Sequence, residues 1–225
     1  MAACTAFGQK ATQSASASIA AGSNQGSLNL AWLHRRGLGK NGKFGIGLGV
    51  RFTSYIAQNQ YYTTAPAQLT TGSTGPGVIF KPDIDANIDT LLVKSPQVNA
   101  LNLFINMDYR LTQKLQLGFN IDAIGFSFGA RTQANYINGA SGKITEATPT
   151  SFNLLLVSDN DQGSLNSEFY LNYLISEKWG IRAGAQFLFT EYTTDTNVQT
   201  FPEENDRFRK KSLLPSLGIT YLLKP

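Results

Sequence analysis

The chain has 225 residues, of which 42% are hydrophobic and 15% charged, with a formal net charge of +4. No run approaches the ~20 apolar residues of a membrane-crossing helix, no basic block with interleaved aromatics points to nucleic acid, and a single Cys excludes a disulfide framework or multi-thiolate metal site. The length suits one all-β unit, and the low charge, with a mean hydropathy of only −0.16, fits strands that are apolar on one side alone.

Met1 to Gln9 reads MAACTAFGQ, which looks like the tail of a signal peptide with Ala6 and Gly8 at the −3 and −1 positions of a cleavage site. The hydrophobic stretch that precedes such a tail is absent, so residues 1–9 are expected to be a trimmed export signal or a disordered tail. Ala2, Ala3 and Cys4 also resemble the end of a lipoprotein box, in which Cys4 would carry lipid.

From residue 10 on, period-two patterning predicts strands, because successive side chains leave a pleated backbone on opposite faces. The first, about Ala11 to Ala20, alternates Ser or Thr with Ala and Ile. A short link at Gly22, Ser23 and Asn24 leads to Leu28, Leu30 and Trp32, and Gly37 to Gly42 reads as a turn. Phe44, Ile46, Leu48, Val50 and Phe52 then share a face opposite Gly45, Gly47, Gly49, Arg51 and Thr53. Glycines repeated along one face suit the crowded inside of a narrow barrel.

After a polar interruption from Tyr55 to Gln97 comes the clearest stretch, Val98 to Ala123. Leu101, Leu103, Ile105, Met107, Tyr109 and Leu111 alternate with Asn102, Phe104, Asn106, Asp108 and Arg110; past Thr112 to Lys114, Leu115, Leu117, Phe119 and Ile121 alternate with Gln116, Gly118, Asn120 and Asp122. Only Phe104 breaks the pattern. The polar face is Asn, Gln, Asp, Arg and Gly rather than Lys, Glu and Thr, a set suited to mutual hydrogen bonding in a confined space. Ile124, Phe126 and Phe128 then change parity, which implies a bulge or the end of the apolar slab near Ala123.

A second interruption covers about Thr132 to Ser164, and another hairpin follows, with Leu165, Phe169, Leu171, Tyr173 and Ile175, then Trp179, Ile181, Ala183, Ala185, Phe187 and Phe189, expected to point out. Ser176 to Lys178 make its tight turn, and Glu168 and Arg182 are expected inside. A third loop, about Thr193 to Asp206, precedes a last strand with Leu213, Leu217, Ile219, Tyr221 and Leu223 on one face.

The prediction is therefore eight antiparallel strands in an up-and-down barrel: a single domain over 10–225 with long loops near 56–97, 132–164 and 193–207. Tight turns fall at one end and long loops at the other, the asymmetry of short periplasmic turns and long extracellular loops. An even strand count returns both termini to the tight-turn end. Trp32, Tyr109, Tyr173, Trp179 and Tyr221 sit near strand ends, where they would form interfacial girdles.

On these residues the chain resembles the small outer-membrane β-barrels of the OmpA and OmpX type, in particular the Bacteroidetes-style outer-membrane β-barrel domain proteins, over nearly the whole chain from Ala11. Ser216, Gly218, Tyr221 and Leu223 match the family's C-terminal insertion signal, although Lys224 and Pro225 follow where the family usually ends on an aromatic residue. The resemblance implies a Gram-negative envelope protein with periplasmic termini, outer-membrane lipid as its surroundings and the barrel-assembly machinery as its insertion partner.

A barrel of eight strands is just wide enough inside to be filled by side chains. Arg51, Asp108, Arg110, Asp122, Glu168 and Arg182 all fall on the inward face, and a buried ion-pair network is expected among them, with Arg51, Asp122 and Glu168 at similar height. The resulting expectation is a non-enzymatic barrel with a structural or surface-interaction role through its long loops, binding a surface ligand or an envelope-complex partner and needing no cofactor. A narrow porin-like channel, a soluble lipocalin-like barrel with its apolar face inside, and a subunit of a larger envelope complex are the alternatives.

Tyr61 and Tyr62 make the first long loop a candidate contact surface. The one histidine, His34, lies near the first tight turn, away from the loop end, and reads as interfacial rather than catalytic. Asp83, Asp85, Asn87 and Asp89 have the spacing that starts a calcium loop, but Ile88 stands where Gly is required and Lys94 where the bidentate Glu should be. A loop strand with one carboxylate face is the preferred explanation, and no metal site is expected.

Overall fold

The computed structural model describes residues 11–39, 41–137, 142–156 and 160–224, so the expectations for residues 1–9, Cys4 included, lie outside the described residues. Eight long strands carry the wall: β1 (Ala11–Gly22), β2 (Gln25–Leu38), β3 (Phe44–Ala57), β6 (Gln97–Arg110), β7 (Leu115–Phe128), β11 (Leu165–Leu174), β12 (Trp179–Thr194) and β13 (Arg207–Lys224). Each pairs antiparallel with the next in that order, and β13 returns to pair with β1 through Ser14↔Leu222 to Ala20↔Ser216. The pairing closes on itself, so the wall is a β-barrel without an edge strand.

The total among the described residues is thirteen strands, not eight. The other five lie in stretches that the sequence reads as loops: β4 (Gln60–Thr64), β5 (Thr90–Val93), β8 (Thr132–Tyr136), β9 (Lys143–Pro149) and β10 (Phe152–Leu154). Four of them close a second, smaller ring. β13 pairs with β4, β4 with β5, β5 with β8, β8 with β9, and β9 returns to β12. The upper ends of the β12–β13 hairpin thus belong to both rings. β10 lies instead along β7.

The direction of the alternation follows from solvent exposure. Leu103 is 54% exposed, Phe169 53% and Ile181 50%, while Asn102, Asn106, Glu168 and Arg182 are buried. Apolar side chains point out and polar ones in, the reverse of a soluble barrel. The parity change at Ala123 is a bulge: Leu103 pairs with Ile124 but Phe104 with Asp122, and the skipped residue lets Ile124, Phe126 and Phe128 stay on the outer wall. Leu165, expected outside, is buried.

Two glycines show why that inner face carries so many. A Cβ on Gly49 would collide with the ring of Phe104, and one on Gly118 with the ring of Tyr170. Each glycine leaves space into which an aromatic residue from a nearby strand is packed, which also accounts for Phe104, set between Asn102 and Asn106 on its strand's inward face.

Candidate functional site

The lumen is the first place where chemistry could reside, and it is filled by paired charge. Arg51 on β3 donates to Asp122 on β7 at 2.5 Å and to Glu168 on β11 at 3.4 Å, and also to the backbone carbonyl of Asn166. Glu168 also accepts from Arg182 on β12 at 2.8 Å and from Asn120 at 3.2 Å. Asp122 receives two further hydrogen bonds, from the Asn102 amide at 2.8 Å and the Asn166 backbone N–H at 2.9 Å. The Arg182 guanidinium lies 3.3 Å above the Tyr170 ring, and that of Arg51 5.3 Å from the Phe104 ring. All four charged side chains are buried.

Of the six residues expected to form one network, the structure brings together Arg51, Asp122, Glu168 and Arg182. Asp108 pairs elsewhere, accepting from Arg35 Nε at 2.7 and 2.9 Å, and Arg110 is exposed at the tight-turn end with no ion pair among the described residues. Arg35 escapes a turn-based reading because it abuts Gly37. Continuing the parity of Leu28, Leu30 and Trp32 one step further would have placed it inside, opposite the glycines of β3.

Above this network the interior turns apolar. Tyr62 on β4, Leu91 and Val93 on β5, Ala134 on β8, Ala147 on β9, Tyr192 on β12 and Phe208 on β13 are fully buried inside the second ring. They join Tyr55, Val98, Leu188 and Leu214 of the long strands in one cluster. Tyr62 meets Tyr192 edge to face at 5.4 Å and bonds the Thr190 hydroxyl at 3.0 Å. Burial, reinforced by the neighbouring Tyr55 and Tyr192, pushes the Tyr62 hydroxyl well above the usual phenol range, so it stays neutral. Between network and cluster, the void bounded by Thr53, Tyr55, Asn102, Asp122, Asn166 and Leu188 measures about 10 Å³. That is room for about one water.

The loop-end expectations are corrected in two places. Tyr61 is exposed, but Tyr62 is core and offers no contact surface. DIDANID is not a strand: Asp85–Asn87 form a single 3-10 turn folded against the short helix α1 (Ala67–Thr71), with the Ile84 N–H donating to Thr70 O and the Asn87 amide to Leu69 O. Asp89 is buried and accepts from the Tyr136 hydroxyl, so the four oxygen-bearing residues do not converge. His34 stacks on Trp32, its ring centroid 6.4 Å away. On β13, Ser216 faces the lumen and Leu223 the outside, while Tyr221 packs against Trp179 at 4.8 Å; Gly218 sits beside Ser18 of β1, at the seam that closes the wall.

One further cluster was missed by sequence reasoning. Glu191 accepts from Arg207 at 2.8 Å and from Arg209 at 2.8 Å, and Arg209 also donates to the carbonyl of Asp161. Through Asp161 it ties the second loop to the upper ends of β12 and β13. Glu191 sits beside Thr190 in the strand, where a period-two reading assigns it outward.

No family model matches the sequence, and no curated protein does. Among solved structures, the chain is similar to Neisserial surface protein A, with a TM-score of 0.36 and 10% identity over 94% of each chain. It is similar also to a Pseudomonas aeruginosa FadL homologue (TM-score 0.21, 13% identity, 88% of this chain and 68% of that one). A third is the deltaS2S3 mutant of TodX, a monoaromatic hydrocarbon channel (TM-score 0.17, 9% identity, 94% of this chain and 89% of that one). The closure of the wall, rather than these likenesses, establishes that the chain is a β-barrel.

Proposed function

We propose that the protein is an integral outer-membrane barrel with a closed lumen, in which the eight long strands cross the bilayer and the second ring stands outside it as a folded surface domain. The observation that carries this reading is the belt of exposed Leu, Ile, Val, Phe, Tyr and Trp around a wall whose charges are buried and paired inside. In water so large an apolar surface is a liability, whereas in hydrocarbon it is the required exterior. A strand such as β7, 14 residues long, at ~3.3 Å per residue and a tilt of about 40° rises roughly 35 Å, more than the ~25 Å apolar band of such barrels.

On this reading the tight turns and both termini are periplasmic, Trp179 and Tyr221 sit at the tight-turn interface while Trp32 lies mid-strand, outer-membrane lipid and the assembly machinery are the partners, and the role is non-enzymatic: mechanical, or recognition through the loop-end surface. Two observations argue against a porin-like channel: the salt-bridged cross-section at Arg51 and the apolar cluster above it. The outward orientation of Leu103 and Ile181 argues against a lipocalin-like ligand barrel. The test is envelope fractionation combined with planar-bilayer recording of the purified protein. The expected result is detergent-dependent extraction from outer membranes with no stable conductance steps. Recovery in the soluble fraction would overturn the membrane reading, and large stable single-channel steps would overturn the closed lumen.

A further inference from the structure

The outer wall is not smooth at the seam that closes it. Ala15 and Ala17 stand outward on β1, and the strands on either side carry large residues in the same register: Tyr221 and Trp32 flank Ala15, and Ile219 and Leu30 flank Ala17. A low strand between two tall ones leaves a groove of about 500 Å³ along β1, bounded further out by Trp179 on one side and Phe52 on the other. Ile19, the next outward residue toward the loop end, is large again. Trp32 lies mid-strand, where an interfacial girdle does not account for it; as one wall of this groove it has a place.

Toward the tight turns the same strip of wall turns polar. His34 and Arg36 follow Trp32 on the outward side of β2, opposite Leu48 and Ile46 of β3, and Gln13 of β1 stands beside His34. Polar side chains on the outer wall of a barrel are costly at mid-depth and cheap near the headgroups. Arg36 is exposed, and at ~3.3 Å per residue it lies about 13 Å down the strand from Trp32. Water alone would satisfy that cation. Its position at the foot of an apolar groove is what matches it to a ligand that is hydrocarbon along its length and anionic at one end.

A second copy of the chain fits the groove poorly. Two barrels related by a two-fold axis would set the groove against its own image, which encloses the void instead of filling it. Filling it takes a slender, flexible occupant that is apolar all round, as an acyl chain is. Within hydrocarbon no hydrophobic drive favours that occupant, but a chain lying in a groove touches protein on more sides than one lying on a flat wall, and the dispersion contacts add up.

We propose that this groove retains a phospholipid of the surrounding bilayer, with one acyl chain over Ala15 and Ala17 between Trp32 and Tyr221 and its phosphate at the level of Arg36. The inference rests on the membrane reading given above.

The test uses the detergent-folded protein and phosphatidylglycerol brominated midway along one chain. Both tryptophans of the sequence, Trp32 and Trp179, line the groove, so their fluorescence reports its occupant. The expected result is quenching that saturates near one lipid per barrel, with a single-lipid adduct in native mass spectra. Ala15→Leu/Ala17→Leu, which fills the groove from the outer side, is expected to reduce the adduct at least about fivefold. Ala183→Leu, exposed on the outer face of β12 away from the groove, should leave it unchanged. Arg36→Gln is expected to weaken retention about threefold, in line with the modest value of an exposed charge; should the double variant not fold, this comparison decides. Quenching that never saturates, or an adduct indifferent to these changes, would overturn the site. A dimer that is lost on filling the groove would overturn it too, since a second copy would then be the occupant. Fractionation separates the two failures: protein found in outer membranes that retains no lipid refutes this site alone, whereas soluble protein refutes the membrane reading as well.

Discussion

Replacing Arg51 with Met removes the one cation that touches both Asp122 and Glu168, and the structure allows the cost to be estimated. Asp122 would keep its Asn102 and Asn166 donors at 2.8 and 2.9 Å, and Glu168 would keep Arg182 at 2.8 Å, so neither carboxylate is left bare. Asp122 nevertheless loses its one cationic partner among the described residues at full burial, and breaking a buried pair from one side costs about 3–5 kcal/mol. Glu168 has a second arginine, so most of the loss should fall on Asp122. The double variant Arg51→Met/Asp122→Asn, which removes the stranded charge as well, should then recover about 2 kcal/mol or more of that loss. The assay is reversible urea unfolding in detergent micelles or bilayers, followed by tryptophan fluorescence. If Arg51→Met costs under about 1 kcal/mol, or if the two substitutions simply add, the lumen is not held together through the Arg51–Asp122 pair.

Other perturbations probe the wall and the second ring. Leu103→Arg places a charge mid-strand on the outer face and should cost about 2–4 kcal/mol in a bilayer-based unfolding assay, with a smaller penalty for the same change near the rim. Gly118→Ala drives a methyl group into the Tyr170 ring and should cost about 1–3 kcal/mol. Combining it with Tyr170→Leu should give a clearly smaller loss than the sum of the two changes, as the unfolding midpoint would report. Tyr62→Ala opens a cavity in the apolar cluster and should cost about 3–5 kcal/mol, exposing residues 56–97 to limited proteolysis, whereas Tyr61→Ala, at a site 59% exposed, should stay within about 0.5 kcal/mol.

The wall was legible in the sequence because a strand with an apolar outer face and a polar inner one has no freedom in its alternation. Leu101 to Met107 and Leu115 to Ile121 state the register outright, and even the bulge at Ala123 announces itself when Ile124 and Phe126 change parity. The second ring was not legible. Its strands have four to seven residues, QYYTT and TLLV among them, too short for a period to emerge. Their partners lie far off in sequence: Thr64 pairs with Phe208, and Pro149 with Tyr192. With so little local signal, Thr- and Gly-rich composition suggests coil. The same contrast holds for the charges. Parity alone assigns Arg51, Asp122, Glu168 and Arg182 to the lumen, but which carboxylate meets which guanidinium depends on strand stagger. That stagger sends Asp108 to Arg35 and leaves Arg110 at the rim.

The direction in which the wall presents its apolar side is the claim on which the membrane assignment and the closed lumen both depend. Spin labels placed singly at Leu103 and Ile181, and for contrast at the lumenal Asn106, measure it directly in reconstituted vesicles. The two wall sites should relax strongly with dissolved oxygen and weakly with a water-soluble nickel chelate, and the Asn106 site should be immobilised and shielded from both. Strong relaxation of the Leu103 and Ile181 labels by the chelate, or their immobilisation as at Asn106, would contradict the account.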